Sequence, residues 1–246
     1  IMSGSNVRDS ACYMVWSLSR SYSDEVLSPY ILSLAQNLLN VSLFDKEVSC
    51  RREASASFQE CVGRLGNIPH GIPILTEADY FTVGIRSNSF LRVGVYVASF
   101  DEYFESCVLH LANVKLDNLD EEVRKLAAAT LSLLCPIQPK FIVETVIPIL
   151  LTKCRSNTLH IMHGGFLGIS EIILGLAGLS EINRNRDEFR ESVFLKLMNL
   201  EEKKLLKAGE YLLAYEANIK EIRMVNHLHL FTEEIKEQLL SIISAK

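Results

Sequence analysis

One short pattern returns five times along the chain: an apolar residue, in four copies followed by arginine, with a small residue four positions after the apolar one. It reads Val7-Arg8…Ala11, Cys50-Arg51…Ala54, Ile85-Arg86…Ser89, Val123-Arg124…Ala127 and Ile161-Met162…Gly165. The copies start 43, 35, 38 and 38 residues apart, close to the period of about 40 to 47 residues seen in HEAT and armadillo units. A unit of that length holds one antiparallel helix pair. Such a pair cannot bury its apolar face alone, so neighbouring pairs must stack. The expected fold is all-α: an α-solenoid of HEAT/armadillo-like antiparallel helix pairs.

Each copy opens an amphipathic helix. Val123, Leu126, Ala127, Thr130, Leu131 and Leu134 lie on one face of a 3.6-residue period, and Ile161, Gly164, Gly165, Gly168, Ile169 and Ile172 repeat those offsets. Small residues on the stripe allow close helix approach, so inner helices are expected to start near 7, 50, 85, 123 and 161. Outer helices are expected on the stripes Leu27, Ile31, Leu34, Leu38, Val41 and Phe104, Cys107, Val108, Leu111, and over 139–154 with a kink at Pro148. Ser28 and Pro29 suit a helix start, and Asn6…Asp9 and Thr76…Asp79 read as capping boxes. The β-branched run 93–97 sits inside a helical stripe and is read as helix. Residues 63–73 hold five Gly or Pro and are read as a long inter-helix loop. The repeats are assigned to 1–180. Residues 181–246 are read as further helices near 187–200, 201–222 and from 232, a last repeat or cap. Because the chain opens directly on an inner helix, it is expected to be a piece of a longer protein.

Composition narrows the function. With 48% hydrophobic residues, disorder is excluded as the general state. The longest apolar runs, 142–151 and 166–179, fall short of the roughly 20 residues of a bilayer span, so no membrane span is expected. No secretory signal opens the chain, which points to the cytoplasm. Six cysteines at unrelated spacings read as buried free thiols. The net charge of −5 and the lack of a basic block argue against nucleic acid.

No catalytic constellation emerges. His160, His163 and Cys154 lack the fourth ligand of a structural zinc site. Gly164-Gly165…Gly168 lacks the Lys-Ser/Thr of a phosphate loop. No nucleophile turn accompanies the thiols, so a hydrolase is the remote alternative. Neither a metal, a cofactor nor catalytic residues are expected. The recurring Arg8, Arg51, Arg86 and Arg124 stack at equivalent repeat positions. Either each pairs with an acid such as Asp9 or Glu53 and sets the stacking register, or the row faces an acidic client. Arg52, Arg64 and Arg92 are spare charges in the same zone.

The stretches Val7-Arg8-Asp9-Ser10-Ala11-Cys12-Tyr13 and Cys50-Arg51-Arg52-Glu53-Ala54-Ser55-Ala56-Ser57-Phe58-Gln59-Glu60 carry a resemblance, as do Pro69-His70-Gly71-Ile72, Ala78-Asp79-Tyr80-Phe81 and Arg86-Ser87-Asn88. Together they resemble the tubulin-folding cofactor D family, most closely over residues 5–100. His160…His163-Gly164 still fits, while Met162 departs from the basic residue expected there. The resemblance implies a large, non-catalytic HEAT-repeat chaperone that binds β-tubulin. With cofactors E and C and an Arf-like small GTPase it would assemble and disassemble the αβ-tubulin heterodimer. It also implies a cytoplasmic, cytoskeleton-associated protein, with GTP hydrolysis stimulated only in a bound partner. The partner-binding candidates are Arg51, Arg52, Arg64, His70, Asp79, Tyr80, Arg86 and Asn88. A generic HEAT scaffold for transport or phosphatase assembly is the alternative.

Overall fold

The computed structural model describes residues 4–182; the helices expected at 187–200, 201–222 and from 232 lie outside them. The chain divides into two compact units, residues 1–111 and 112–246. Among the described residues every regular element is a helix, in keeping with the all-α repeat class.

In the first unit α1 (Ser5–Ser21) is followed by α2 (Asp24–Leu27), a 3-10 turn at Ser28–Tyr30 and α3 (Ile31–Phe44). Next come α4 (Val48–Leu65) and the short α5 (Gly71–Glu77). Then α6 (Arg86–Asn88) runs through a π turn at Ser89–Val93 into α7 (Gly94–Ala98), and α8 (Asp101–His110) closes the series. α4 packs against both α1 and α3, and α3 against α8. The core between them is aromatic: Phe44, Phe58, Phe90, Tyr103 and Phe104 are all buried, and the Phe44 and Phe90 rings meet edge to face at 5.2 Å. Each such ring contributes about 1.5 to 3 kcal/mol by leaving water. Tyr103 keeps its hydroxyl satisfied by donating to Pro69 O at 2.7 Å.

The second unit holds α9 (Glu121–Leu134), α10 (Pro139–Phe141), a π turn at Ile142–Val146, α11 (Ile147–Cys154) and α12 (Leu159–Ile182). α12 packs on α9 and on α11, and its glycines set the spacing. A Cβ on Gly164 would fall 1.8 Å from Leu116 O, and one on Gly175 2.4 Å from Ser132 O. Backbone thus meets backbone where any side chain would intrude.

Several local expectations are corrected. Residues 63–73 are not one long loop: α4 continues through Gly63 and Arg64 to Leu65, Gly66 (φ 61°) ends it in the left-handed region, and α5 begins at Gly71. Pro73 is tolerated because it falls in a first turn, where its missing N–H would have no intrahelical partner. The capping boxes do not form. α1 starts at Ser5 after Gly4, without a side-chain cap, so Asn6 lies inside the helix. Thr76 lies inside α5 and its hydroxyl donates back to Ile72 O. The helix expected to start at Ser28 begins a turn earlier, at Asp24. Pro148 sits in the first turn of α11, directly after a π turn at Ile142–Val146 where the hydrogen-bond ladder already shifts.

Two of the five repeat-opening residues are also exposed, Val7 at 61% and Ile85 at 64%. In α1 the face turned to α4 carries Cys12 and Ser19 instead. By length and composition alone, Asp24–Phe44 and Leu159–Leu176 are long and apolar enough to cross a membrane, a property that counting unbroken apolar runs misses. Yet 61% of the second stretch is buried inside the protein, where Leu167, Ile169 and Ile172 form core.

Candidate functional site

The recurring arginines sit at the helix starts, and backbone carbonyls are prominent among their described partners. Arg8 ties α1 to the turn before α4 through Asp45, with Nη2 donating to Oδ1 at 2.9 Å. That carboxylate, followed by burial in the opposite sense, holds the Arg8 guanidinium above its ordinary range. Arg51, buried beneath α4, donates to four carbonyls. Nη1 reaches Asp45 O (2.9 Å) and Lys46 O (3.1 Å), Nε reaches Val83 O (2.7 Å) and Nη2 reaches Gly84 O (2.9 Å). Burial, followed by the like charge of Arg86, lowers its pKa, and the four acceptors offset the cost of desolvation. Arg86 donates to Lys46 O from the other side at 2.9 Å. In the second unit Arg124 repeats the arrangement, donating to Asn118 O (2.6 Å), Leu119 O (3.0 Å) and, across to α12, His163 Nδ1 (3.0 Å). Accepting at Nδ1 requires that nitrogen to be unprotonated. These four guanidiniums therefore join one helix pair to the next: Arg8 through an acid of the neighbouring pair, Asp45, in place of Asp9, and Arg51 through loop carbonyls in place of Glu53.

The eight partner-binding candidates separate into two groups. Arg51, Arg52, Asp79, Tyr80, Arg86 and Asn88 gather at the N-terminal end of α4 and along residues 78–88. Arg64 and His70 belong to the opposite end of α4, about 18 Å away at 1.5 Å per residue. There Arg64 bonds to Glu60. His70, at φ 53°, stacks on Phe100 at 4.2 Å and lies 3.4 Å from Glu102.

The first group builds an ordered surface. Asp79 Oδ1 accepts from the amides of Phe81 (2.8 Å) and Thr82 (2.6 Å). The Thr82 amide is the main reason the Asp79 carboxyl is held below the usual carboxylate range. Ser55 donates to Ala78 O (2.7 Å), and Asn88 donates to Thr82 O (3.0 Å) while its own oxygen accepts from Arg92. Arg92 also pairs with Glu77 at 2.6 Å. On this frame Arg52 lays its guanidinium over the Tyr80 ring, 4.5 Å from the centroid. Tyr80 meets Phe81 edge to face at 5.5 Å. Phe81 is 79% exposed, with Tyr80 and Ile85 also open to solvent.

Phe81 and Ile85 are not legible as surface residues in the sequence: the repeat places Ile85 on a core-facing stripe, and nothing in the spacing around Phe81 distinguishes an exposed ring from a buried one. Among the described residues no group of three or more His, Cys, Asp or Glu side chains is placed to hold a metal ion.

Comparison with known proteins agrees with the all-helical repeat fold. The family model described as tubulin-specific chaperone D-like, ARM repeats, matches residues 1–72. The tubulin-specific chaperone D of Dictyostelium discoideum is 42% identical over 206 residues, 83% of this chain and 14% of that protein. The tubulin-folding cofactor D of Schizosaccharomyces pombe is 31% identical over 199 residues, 80% of this chain and 18% of that protein. The chain thus spans under a fifth of the length of either relative. No solved structure matches it. Helix pairs of armadillo type and sequence identity over most of the chain converge on one assignment: this chain belongs to the tubulin-specific chaperone D family.

Proposed function

We propose that this chain serves as part of a tubulin-folding cofactor. It would bind β-tubulin, alone and within the αβ-tubulin heterodimer, as a scaffold that carries no catalytic residues. Cofactors E and C and an Arf-like small GTPase act with it in this reading, and any GTP hydrolysis it promotes takes place in a bound partner. Its setting is the cytoplasm, in association with the cytoskeleton. Support for tubulin as the client comes from the names of the relatives. Support for a binding role at 78–88 comes from a single observation: Tyr80, Phe81 and Ile85 are held open to solvent on a segment whose backbone is fixed by Asp79, Ser55 and Asn88. Exposed aromatic groups on a rigid frame are what protein interfaces use, because little ordering entropy is then lost on docking. Arg52, Tyr80, Arg86 and Asn88 supply the polar rim in this reading, and Arg51 and Asp79 supply the support beneath it.

The test is retention of purified αβ-tubulin by the full-length protein that contains this segment, with Phe81→Ser and Ile85→Ser introduced together and folding checked by circular dichroism. The expected result is at least a tenfold loss of retained tubulin, the scale of a truncated hot spot. Undiminished capture by the folded variant would count against the reading, and selective capture of a transport or phosphatase subunit would favour the generic scaffold.

A further inference from the structure

Arg52 differs from the arginines around it. Arg51 and Arg86 donate to loop carbonyls, Arg64 is paired with Glu60, and Arg92 with Glu77. Among the described residues Arg52 donates to no acceptor, its Nε is buried without a partner, and it interacts through the stack on Tyr80. The nearby carboxylates are committed elsewhere, Asp79 to the Phe81 and Thr82 amides and Glu77 to Arg92. Glu53, the next residue along α4, forms no ion pair with it. Nor does a side chain cover the guanidinium from residue 84, where glycine leaves Arg52 Nη2 3.1 Å from the place a Cβ would take.

A stacked guanidinium is pre-oriented: the ring holds its plane, so its remaining N–H groups are presented in fixed directions at little further entropy cost. A carboxylate matches that fork and forms charge-assisted hydrogen bonds. Phe81 and Ile85, exposed on the same segment, offer apolar contact for residues flanking such a carboxylate.

We infer that Arg52, with Tyr80, Phe81 and Ile85, forms a docking site for an acidic segment of a partner protein, one whose Asp or Glu carboxylates alternate with apolar side chains. The inference deepens the function proposed above and rests on it only for the identity of the protein that supplies the segment. Arg52 holds the carboxylate, Tyr80 fixes the guanidinium, and Phe81 and Ile85 take the apolar neighbours.

The test measures binding of a short fluorescein-labelled peptide of alternating Glu and Leu to the full 246-residue chain by fluorescence anisotropy, beside a matching peptide with Gln in place of Glu. The wild-type chain is expected to prefer the Glu peptide. Arg52→Gln should weaken that binding at least about tenfold, and Arg52→Lys by several-fold, because lysine keeps the charge and loses the fork. Arg20→Gln, on α1, should leave it unchanged, and thermal unfolding verifies that each variant is folded. Equal binding of the Glu and Gln peptides, or a folded Arg52→Gln chain that binds as well as wild type, overturns the inference. Tubulin retention by the full-length protein separates the two readings. If Arg52→Gln abolishes peptide binding while tubulin is retained as well as by the wild-type protein, the acidic-segment site stands and only its client is revised. If the Glu peptide fails while Phe81→Ser with Ile85→Ser still releases tubulin, the site falls and the proposed function stands.

Discussion

At the scale of single residues, neighbouring arginines of one helix have opposite fates because of where the helix turns them. Arg51 points down between two loops and meets four carbonyls; Arg52, one residue on, is rotated by about 100° to the rim, where it meets a tyrosine. Arg51→Ala is therefore expected to cost about 3 kcal/mol or more, since it takes the guanidinium donor from the carbonyls of Asp45, Val83 and Gly84 and leaves Lys46 O with Arg86 alone. Arg51→Lys should recover part of that loss. Urea unfolding followed by circular dichroism measures both, and a cost under about 0.5 kcal/mol for the alanine variant would mean that water replaces the guanidinium. The sequence made the repeat arginines conspicuous and left open whether they look inward or outward. That choice depends on loop carbonyls whose positions no spacing encodes. Arg52 was named among the candidates, whereas its stacking on Tyr80, 28 positions further along the chain, is a tertiary fact.

Among the helices, glycine has two separate meanings. Gly164 lies where α12 crosses Leu116, and a Cβ there would fall 1.8 Å from a carbonyl oxygen; Gly63 lies in α4 with nothing within 4 Å of the same construction. Gly164→Ala should destabilise the protein by about 2 kcal/mol or more, because displacing packed backbone outweighs the roughly 1 kcal/mol that alanine gains in a helix. Gly63→Ala should stabilise by about 0.5 to 1 kcal/mol. Thermal melts of the two variants should move in opposite directions, and a Gly164→Ala chain that melts at or above the wild-type temperature would refute the close approach. The sequence foresaw tight crossing from the Gly164, Gly165, Gly168 stripe because a 3.6-residue period carries that information. The density of Gly and Pro over 63–73 misled because position within the turn decides their effect: Gly63 is tolerated in the last turn of α4, Gly66 ends that helix, and Pro73 sits in the first turn of α5. Only Gly66 and residues 67–70 lie between those helices, one of them, His70, also at positive φ.

For the molecule as a whole, the described residues report on packing through their thiols. All six cysteines are free and buried. Burial pushes Cys107, Cys135 and Cys154 up to about 12 and Cys12 up to about 11. The thiolate is the reactive form, so near pH 8 the native chain should react with Ellman's reagent far more slowly than the chain in denaturant. The two rates should converge only where unfolding occurs. Labelling at intermediate urea, read by mass spectrometry, would show whether Cys12, Cys50, Cys61 and Cys107 of the first unit open together and apart from Cys135 and Cys154 of the second. Fast reaction of any one thiol in the native chain would contradict the core described. At this scale the sequence carried most of the fold, since helix-pair length and stripe geometry are periodic properties. It carried little of the candidate surface, since exposure of Phe81 and Ile85 is decided by which neighbours happen to cover them.

Arg51 has a mechanical corollary. The guanidinium clasps Val83 and Gly84 on one side and Asp45 and Lys46 on the other, so the strip bearing Phe81 is coupled to the C-terminal end of α3. A load applied at that ring by a bound protein has a short route into the aromatic core at Phe44. Whatever grips this edge is therefore in a position to pull on the interior of the first unit, and not on a loose flap.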